Sequence, residues 1–197
     1  RELIKKINPL TTKLFNDVFL NQDLFSQIEK VYNGIDNLDK EEARLTEEVY
    51  SSFIRSGANL EDEKKSEYRK ITEQLSSLSP QFSNNVLKAT NSINEYWINS
   101  FDDINELPEN MVNSAKQKAT DKNNENKWCF SLDTDFFILM RFCSNREIRK
   151  DIMVRQQSRC NGGEFDTSEI LQKISKLRHQ KANLLGFDSH ADFVLDR

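Results

Sequence analysis

Ile170, Ile174, Leu177, Leu184 and Leu185 fall at spacings of 4, 3, 7 and 1, which place all five on one helical face. Directly after them come Gly186 and Phe187. A glycine there supplies the left-handed residue that ends a helix, and the phenylalanine is placed to fold back onto the last turn. A stripe of this length, closed by its own stop signal, commits this part of the chain to a long helix packed along one side.

The same rhythm fills most of the 197 residues. Asn8-Pro9 reads as a helix start, a capping side chain followed by a proline with no helical hydrogen bond to lose, and Leu10, Leu14, Phe15 and Val18 follow. Asn21 starts a second helix through Leu24, Phe25, Ile28 and Val31, stopped by Asn33-Gly34. Asp39 caps a third, with Leu45, Val49 and Phe53 on one side and Gly57 at its end. A fourth begins at Glu61, with Ile71, Leu75, Leu78, Phe82 and Val86 as its expected buried stripe and a kink expected at Pro80. Later helices are expected from Leu107-Pro108-Glu109 to Thr120, at 136–142, at 146–159, at the opening stretch capped by Asp166 or Thr167, and from Phe187 to Val194.

Helical spacing fails in two places. Tyr96, Trp97 and Ile98 have the aromatic and branched character of a strand, and Trp128, Phe130 and Leu132 alternate with Cys129 and Ser131. The expected fold class is therefore mainly α: an irregular multi-helix bundle, with one two-stranded β ribbon at about residues 95–99 and 127–132. Thirteen phenylalanines against five glycines and three prolines suit long helices joined by few turns. No linker divides the chain, so residues 1–197 are expected to form one structural unit.

Composition excludes several functions. The formal charge is −4 and is spread over mixed runs, without the basic stripe a phosphate backbone demands, so no nucleic-acid partner is expected. The longest apolar run, Phe136 to Met140, falls far short of the ~20 residues that span a bilayer, and no membrane partner is expected. Cys129, Cys143 and Cys160 are odd in number and lack C-x-x-C spacing, which argues for free thiols.

Catalytic chemistry is missing from the pattern. His179 and His190 are followed by Gln180 and Ala191, so neither opens the H-E-x-x-H helix that holds zinc and its activating glutamate. On one helix they would stand ~16 Å apart along the axis, and Gly186 interrupts that helix. The residues three before them, Lys176 and Phe187, exclude the Glu-x-x-His pairs of di-iron bundles. No glycine-rich phosphate loop or G-x-S-x-G elbow occurs. Carboxylates are plentiful, but none is assigned an acid or base role: no residue is expected to be catalytic, cofactor-binding or metal-binding.

The wording is more telling than the pattern. Leu177-Arg178-x-x-Lys181-Ala182-x-Leu184-Leu185-Gly186-Phe187, followed by Ser189-x-Ala191-x-Phe193, resembles the thimet oligopeptidase, oligopeptidase A and peptidyl-dipeptidase family of zinc metallopeptidases. Asn8-Pro9-Leu10, the turn Arg55-Ser56-Gly57-Ala58-Asn59-Leu60, Leu107-Pro108-Glu109, Lys127-Trp128 and Asn145-Arg146-Glu147-Ile148-Arg149 resemble it in the same order. The resemblance implies that these residues are the N-terminal helical part of a larger zinc peptidase. It implies short unstructured peptides as substrates, with endopeptidase and dipeptide-releasing action both left open. It also implies that these helices form one wall of a deep channel above the zinc.

The metal helix and the further carboxylate ligand are absent from residues 1–197, so zinc is expected in the complete protein and not in this part. The missing catalytic part is accordingly an expected partner, and this part is expected to be inactive. The chain opens at Arg1 and ends at Arg197 inside apolar rhythms without caps, which also leads us to expect a piece of a longer protein. The expected compartment is the cytoplasm, with the periplasm left open because a signal peptide would lie upstream. The competing expectation, from another class, is a helical module that binds a partner protein through an apolar groove.

Overall fold

The computed structural model describes residues 2–196. Nine α-helices and a two-stranded sheet are present among them: α1 Glu2–Phe19, α2 Gln22–Tyr32, α3 Lys40–Arg55, α4 Asp62–Ile93, β1 Glu95–Ile98, α5 Glu109–Thr120, β2 Trp128–Ser131, α6 Phe136–Phe142, α7 Arg146–Gln157, α8 Ser168–Leu184 and α9 His190–Leu195. Short 3-10 turns occupy Ile35–Asn37 and Phe101–Asp103. The mainly α class with one ribbon is as the sequence leads one to expect.

Local chemistry accounts for the boundaries. The Asn21 side chain accepts from the Leu24 backbone N–H at 2.9 Å and opens α2. Asp39 opens α3 with a reciprocal box: its carboxylate accepts from the N–H groups of Glu41 and Glu42, and Glu42 accepts from the Asp39 N–H. Asn145 opens α7 with its side chain accepting from the N–H groups of Glu147 and Ile148. Two helices end in a left-handed glycine closure. At Gly57 (φ +88°) the N–H groups of Gly57 and Ala58 donate to Ile54 and Phe53. At Gly186 (φ +87°) those of Gly186 and Phe187 donate to Asn183 and Ala182.

The chain divides into two compact units, one comprising residues up to Phe82 together with Glu169 onward, the other Ser83–Ser168. In the first, Phe25, Phe53 and Ala58 are buried, with Phe19, Ile28, Tyr50 and Ile54 against them. Aromatic rings join α1, α2 and α3 in series: Phe19 to Phe53 at 4.8 Å, Phe53 to Phe25 at 6.2 Å, Phe25 to Tyr50 at 5.8 Å, and Tyr50 to Tyr32 at 3.9 Å.

In the second unit the ribbon is antiparallel, with Glu95 opposite Ser131 and Ile98 opposite Trp128. Two strands alone are marginal. Here they are seated on helices: Phe130, Leu132, Ile104, Leu139 and Ile152 are all essentially inaccessible and form one cluster with Ala115 of α5. The buried Asp135 carboxylate accepts from the Ser131 N–H at 2.9 Å and stands 3.4 Å from Lys118 Nζ, tying the end of β2 to α5.

Three expectations need correcting. Pro9 does not open a helix; it lies inside α1, which begins at Glu2. The apolar rhythm Leu3, Ile7, Leu10, Leu14, Val18 runs through it without a phase break, and that periodicity outweighs the single backbone bond that proline removes. Pro108 takes the capping position of α5 and not its first helical one. The expected stripe of α4 is fully buried only at Ile71; Leu75, Leu78, Phe82 and Val86 are half-buried.

Candidate functional site

The two histidines are not brought into a metal site. His179 is exposed on α8, whereas His190 is the first residue of α9 with its Nδ1 buried and without a hydrogen-bond partner. Burial, then the neighbouring Arg178 and Lys181, hold the His190 pKa below its usual value. Those two cations would equally repel a metal ion, so the residues present do not fit a catalytic zinc. Among the described residues no three His, Cys, Asp or Glu side chains stand together as a metal-holding group. Cys129 and Cys143 are buried free thiols, and burial pushes both of their pKa values up, away from nucleophilic thiolate.

A charged cluster fixes α9 instead. Arg55, at the end of α3, donates to the backbone carbonyls of Phe193 and Asp196 at 2.5 Å each and pairs with the Asp196 carboxylate at 3.0 Å. Its guanidinium lies 4.5 Å from the Phe193 ring centroid. This places a cation on the last carbonyls of a helix, which a helix C-terminus favours. Lys181 of α8 reaches over the rings of Tyr68 and Phe193 at 5.2 and 5.4 Å, and its pKa is lowered by burial and then by Arg55. The role of this cluster is structural: every member is committed to holding α9 against α3, α4 and α8.

What this unit offers to a ligand is surface. A groove of about 840 Å³ runs beside α3, lined by Tyr32, Tyr50, Glu47, Glu48, Ile54 and Arg55 among others. The stacked Tyr32 and Tyr50 rings present flat apolar faces, and the two glutamates put acid at the rim. In the same unit, α1 carries its apolar stripe outward. Leu3, Ile4, Ile7, Leu10, Leu14, Phe15 and Val18 are 40–67 % exposed, while Asn16 on the opposite side is 5 % exposed. Asn16 Nδ2 donates to Thr72 Oγ1 of α4 at 2.9 Å, and Asp17 pairs with Arg69 of α4 at 2.6 Å. α1 is thus held by these polar contacts and by Phe19 on Phe53, and shows its remaining apolar residues. Periodicity alone marks such a stripe without saying which way it faces; the signal available in the sequence was Asn16, two residues from Leu14 and Val18 and therefore across the helix from both.

Residues 139–197, covering most of α6 and everything described after it, match the profile of peptidase family M3. This segment is similar to that family. The likeness to proteins of that kind extends well upstream of the matched segment. The organellar oligopeptidase A, chloroplastic/mitochondrial, of Arabidopsis thaliana is 29 % identical over 201 residues, which are 98 % of this chain and 25 % of that protein. Oligopeptidase A of Haemophilus influenzae is 30 % identical over 203 residues, 99 % of this chain and 30 % of its own length. Dipeptidyl carboxypeptidase of Escherichia coli is 27 % identical over 183 residues, 91 % of this chain and 27 % of the relative. The chain spans between a quarter and three-tenths of these relatives. The resemblance to metallo-oligopeptidases expected from the wording is therefore found, with the Leu177–Phe187 stretch inside the matched family segment. No helix among the described residues is long and apolar enough to cross a membrane.

Proposed function

We propose that these residues are the N-terminal helical part of a zinc metallopeptidase that hydrolyses short unstructured peptides. The supporting observation is the likeness of nearly the entire chain to about a quarter of oligopeptidase A and dipeptidyl carboxypeptidase relatives. In this reading the zinc ligands and the activating carboxylate belong to other residues of the parent protein. The part described here contributes no zinc ligand and no catalytic group. Its contribution is a wall of the substrate channel, whose narrowness excludes folded proteins. The α3 groove, with its tyrosine faces and acidic rim, is the surface proposed to meet peptide. A cytosolic location is proposed alongside, a relative from Arabidopsis thaliana being named as a probable cytosolic oligopeptidase A.

The test is hydrolysis of a fluorogenic oligopeptide by residues 1–197 with added zinc. No turnover above the buffer rate is expected. Turnover proportional to protein concentration and stopped by a chelator contradicts the reading. The second reading, a helical interaction module without enzymatic role, draws on the exposed α1 stripe. A longer natural polypeptide that lacks an H-E-x-x-H helix would decide in its favour.

A further inference from the structure

The face of α1 that a soluble helix normally buries is the face this helix exposes. Seven apolar side chains stand out along it, from Leu3 to Val18. Contiguous exposed apolar patches of this kind mark interaction surfaces. Meanwhile α1 is anchored opposite the stripe by the Asn16–Thr72 hydrogen bonds and, along one flank, by the Asp17–Arg69 pair. Those contacts fix the rotation of the helix, so the stripe cannot turn inward without leaving the buried Asn16 amide unpaired. The sequence therefore maintains an apolar stripe and, at the same time, the polar residues that keep it pointing outward.

We infer that the stripe is a docking face for another segment of the same polypeptide, amphipathic and helical, with acid along one rim. This rests on the reading that the residues belong to a longer chain. The relatives are three to four times as long as this chain, so the parent has ample polypeptide to supply the cover in fixed one-to-one proportion. Charge gives the chemistry of the rim. Lys6 and Lys13 lie seven apart on one flank of the stripe, both exposed and without an ion-pair partner among the described residues. An acidic residue every second turn on the incoming segment would meet them. The stripe is thus assigned to internal packing of the parent, and peptide contact is left to the α3 groove.

Maleimide labelling tests the assignment. Leu10→Cys and Leu14→Cys are introduced separately with Cys160→Ser, since Cys129 and Cys143 are buried. Each variant is made in residues 1–197 and in the natural polypeptide that contains them, and rates are normalised to the rate in denaturant. The positions are exposed, so the thermal midpoint of residues 1–197 is expected to be unchanged and serves as the folding control. Labelling at least tenfold slower in the natural polypeptide, independent of its concentration, is the expected result. Equal rates in both overturn the inference. So does protection of residues 1–197 that grows with concentration alongside a dimer in sedimentation, which makes a second copy the occupant. Protection that appears only with anionic phospholipid vesicles overturns it too.

Chelator-sensitive peptide hydrolysis by the same natural polypeptide separates the two proposals. Hydrolysis with an unprotected stripe sinks this inference alone. Protection without hydrolysis sinks the peptidase reading and leaves the docking face standing.

Discussion

Gly186 closes α8 at φ +87°, and a Cβ added there would meet no atom within 4 Å. The cost of Gly186→Ala is therefore conformational and not steric. It should destabilise by about 1–2 kcal/mol in urea unfolding, the penalty of a left-handed L-residue, with Gly186→Asn milder. His190 makes a second prediction at this scale. Its folded pKa lies below the usual 6.5, so the unfolded chain binds the proton more readily. The stability it contributes is complete above about pH 6.5 and is lost as pH falls through and below that value. Thermal midpoints measured from pH 8 to pH 5 should decline in this window, and His190→Gln should flatten the decline. At Phe82 the structure corrects the sequence: a half-buried side chain should cost clearly less on truncation to alanine than the about 3–5 kcal/mol expected of a central one. Phe53 is the position that merits that figure, being buried between Phe19 and Phe25. Comparing Phe53→Ala with Phe82→Ala in urea checks both.

At the scale of elements, what could be read from the sequence was what depends on near neighbours. Asn21 and Asp39 were legible as the starts of α2 and α3 because a short side chain reaches N–H groups two or three residues ahead, and the structure adds Asn145 as the cap of α7 by the same geometry. Asn145→Ala should accordingly cost about 1 kcal/mol, provided its second contact, Nδ2 donating to Asp103 at 2.8 Å, contributes little; a loss well above 2 kcal/mol would show that this tertiary bond dominates. The ribbon was legible for the same local reason, since alternation in Trp128–Ser131 and branched or aromatic residues in Glu95–Ile98 are strand signals wherever they pair. Pro9 misleads because a local start signal competes with a longer-range rhythm, and the rhythm prevails. Direction was not legible from periodicity: α1, Leu45 and Val49 carry apolar residues at core spacing and expose them, because burial depends on what else arrives.

For the whole molecule, the order of family-like segments along the chain carried more than any motif, because no catalytic motif lies within these residues. The absence of H-E-x-x-H at His179 and His190 leaves sequence reasoning with only surfaces to assign. The groove beside α3 could not be found that way, since it depends on Tyr32 stacking on Tyr50 across two helices. Tyr50→Ala should therefore weaken both the α2–α3 contact and, in the natural polypeptide, the apparent affinity for peptide substrate. An increase in KM with kcat little changed is the expected pattern, because in the proposed reading the groove holds peptide away from the reacting bond.

The central claim is that these helices serve a zinc site built from other residues of the same polypeptide. Elemental analysis of the natural polypeptide containing residues 1–197, purified without chelators, bears on it most directly. One zinc per chain is predicted, with none retained by residues 1–197 prepared in the same way. A natural polypeptide without zinc, or stoichiometric zinc held by residues 1–197 alone, would contradict it.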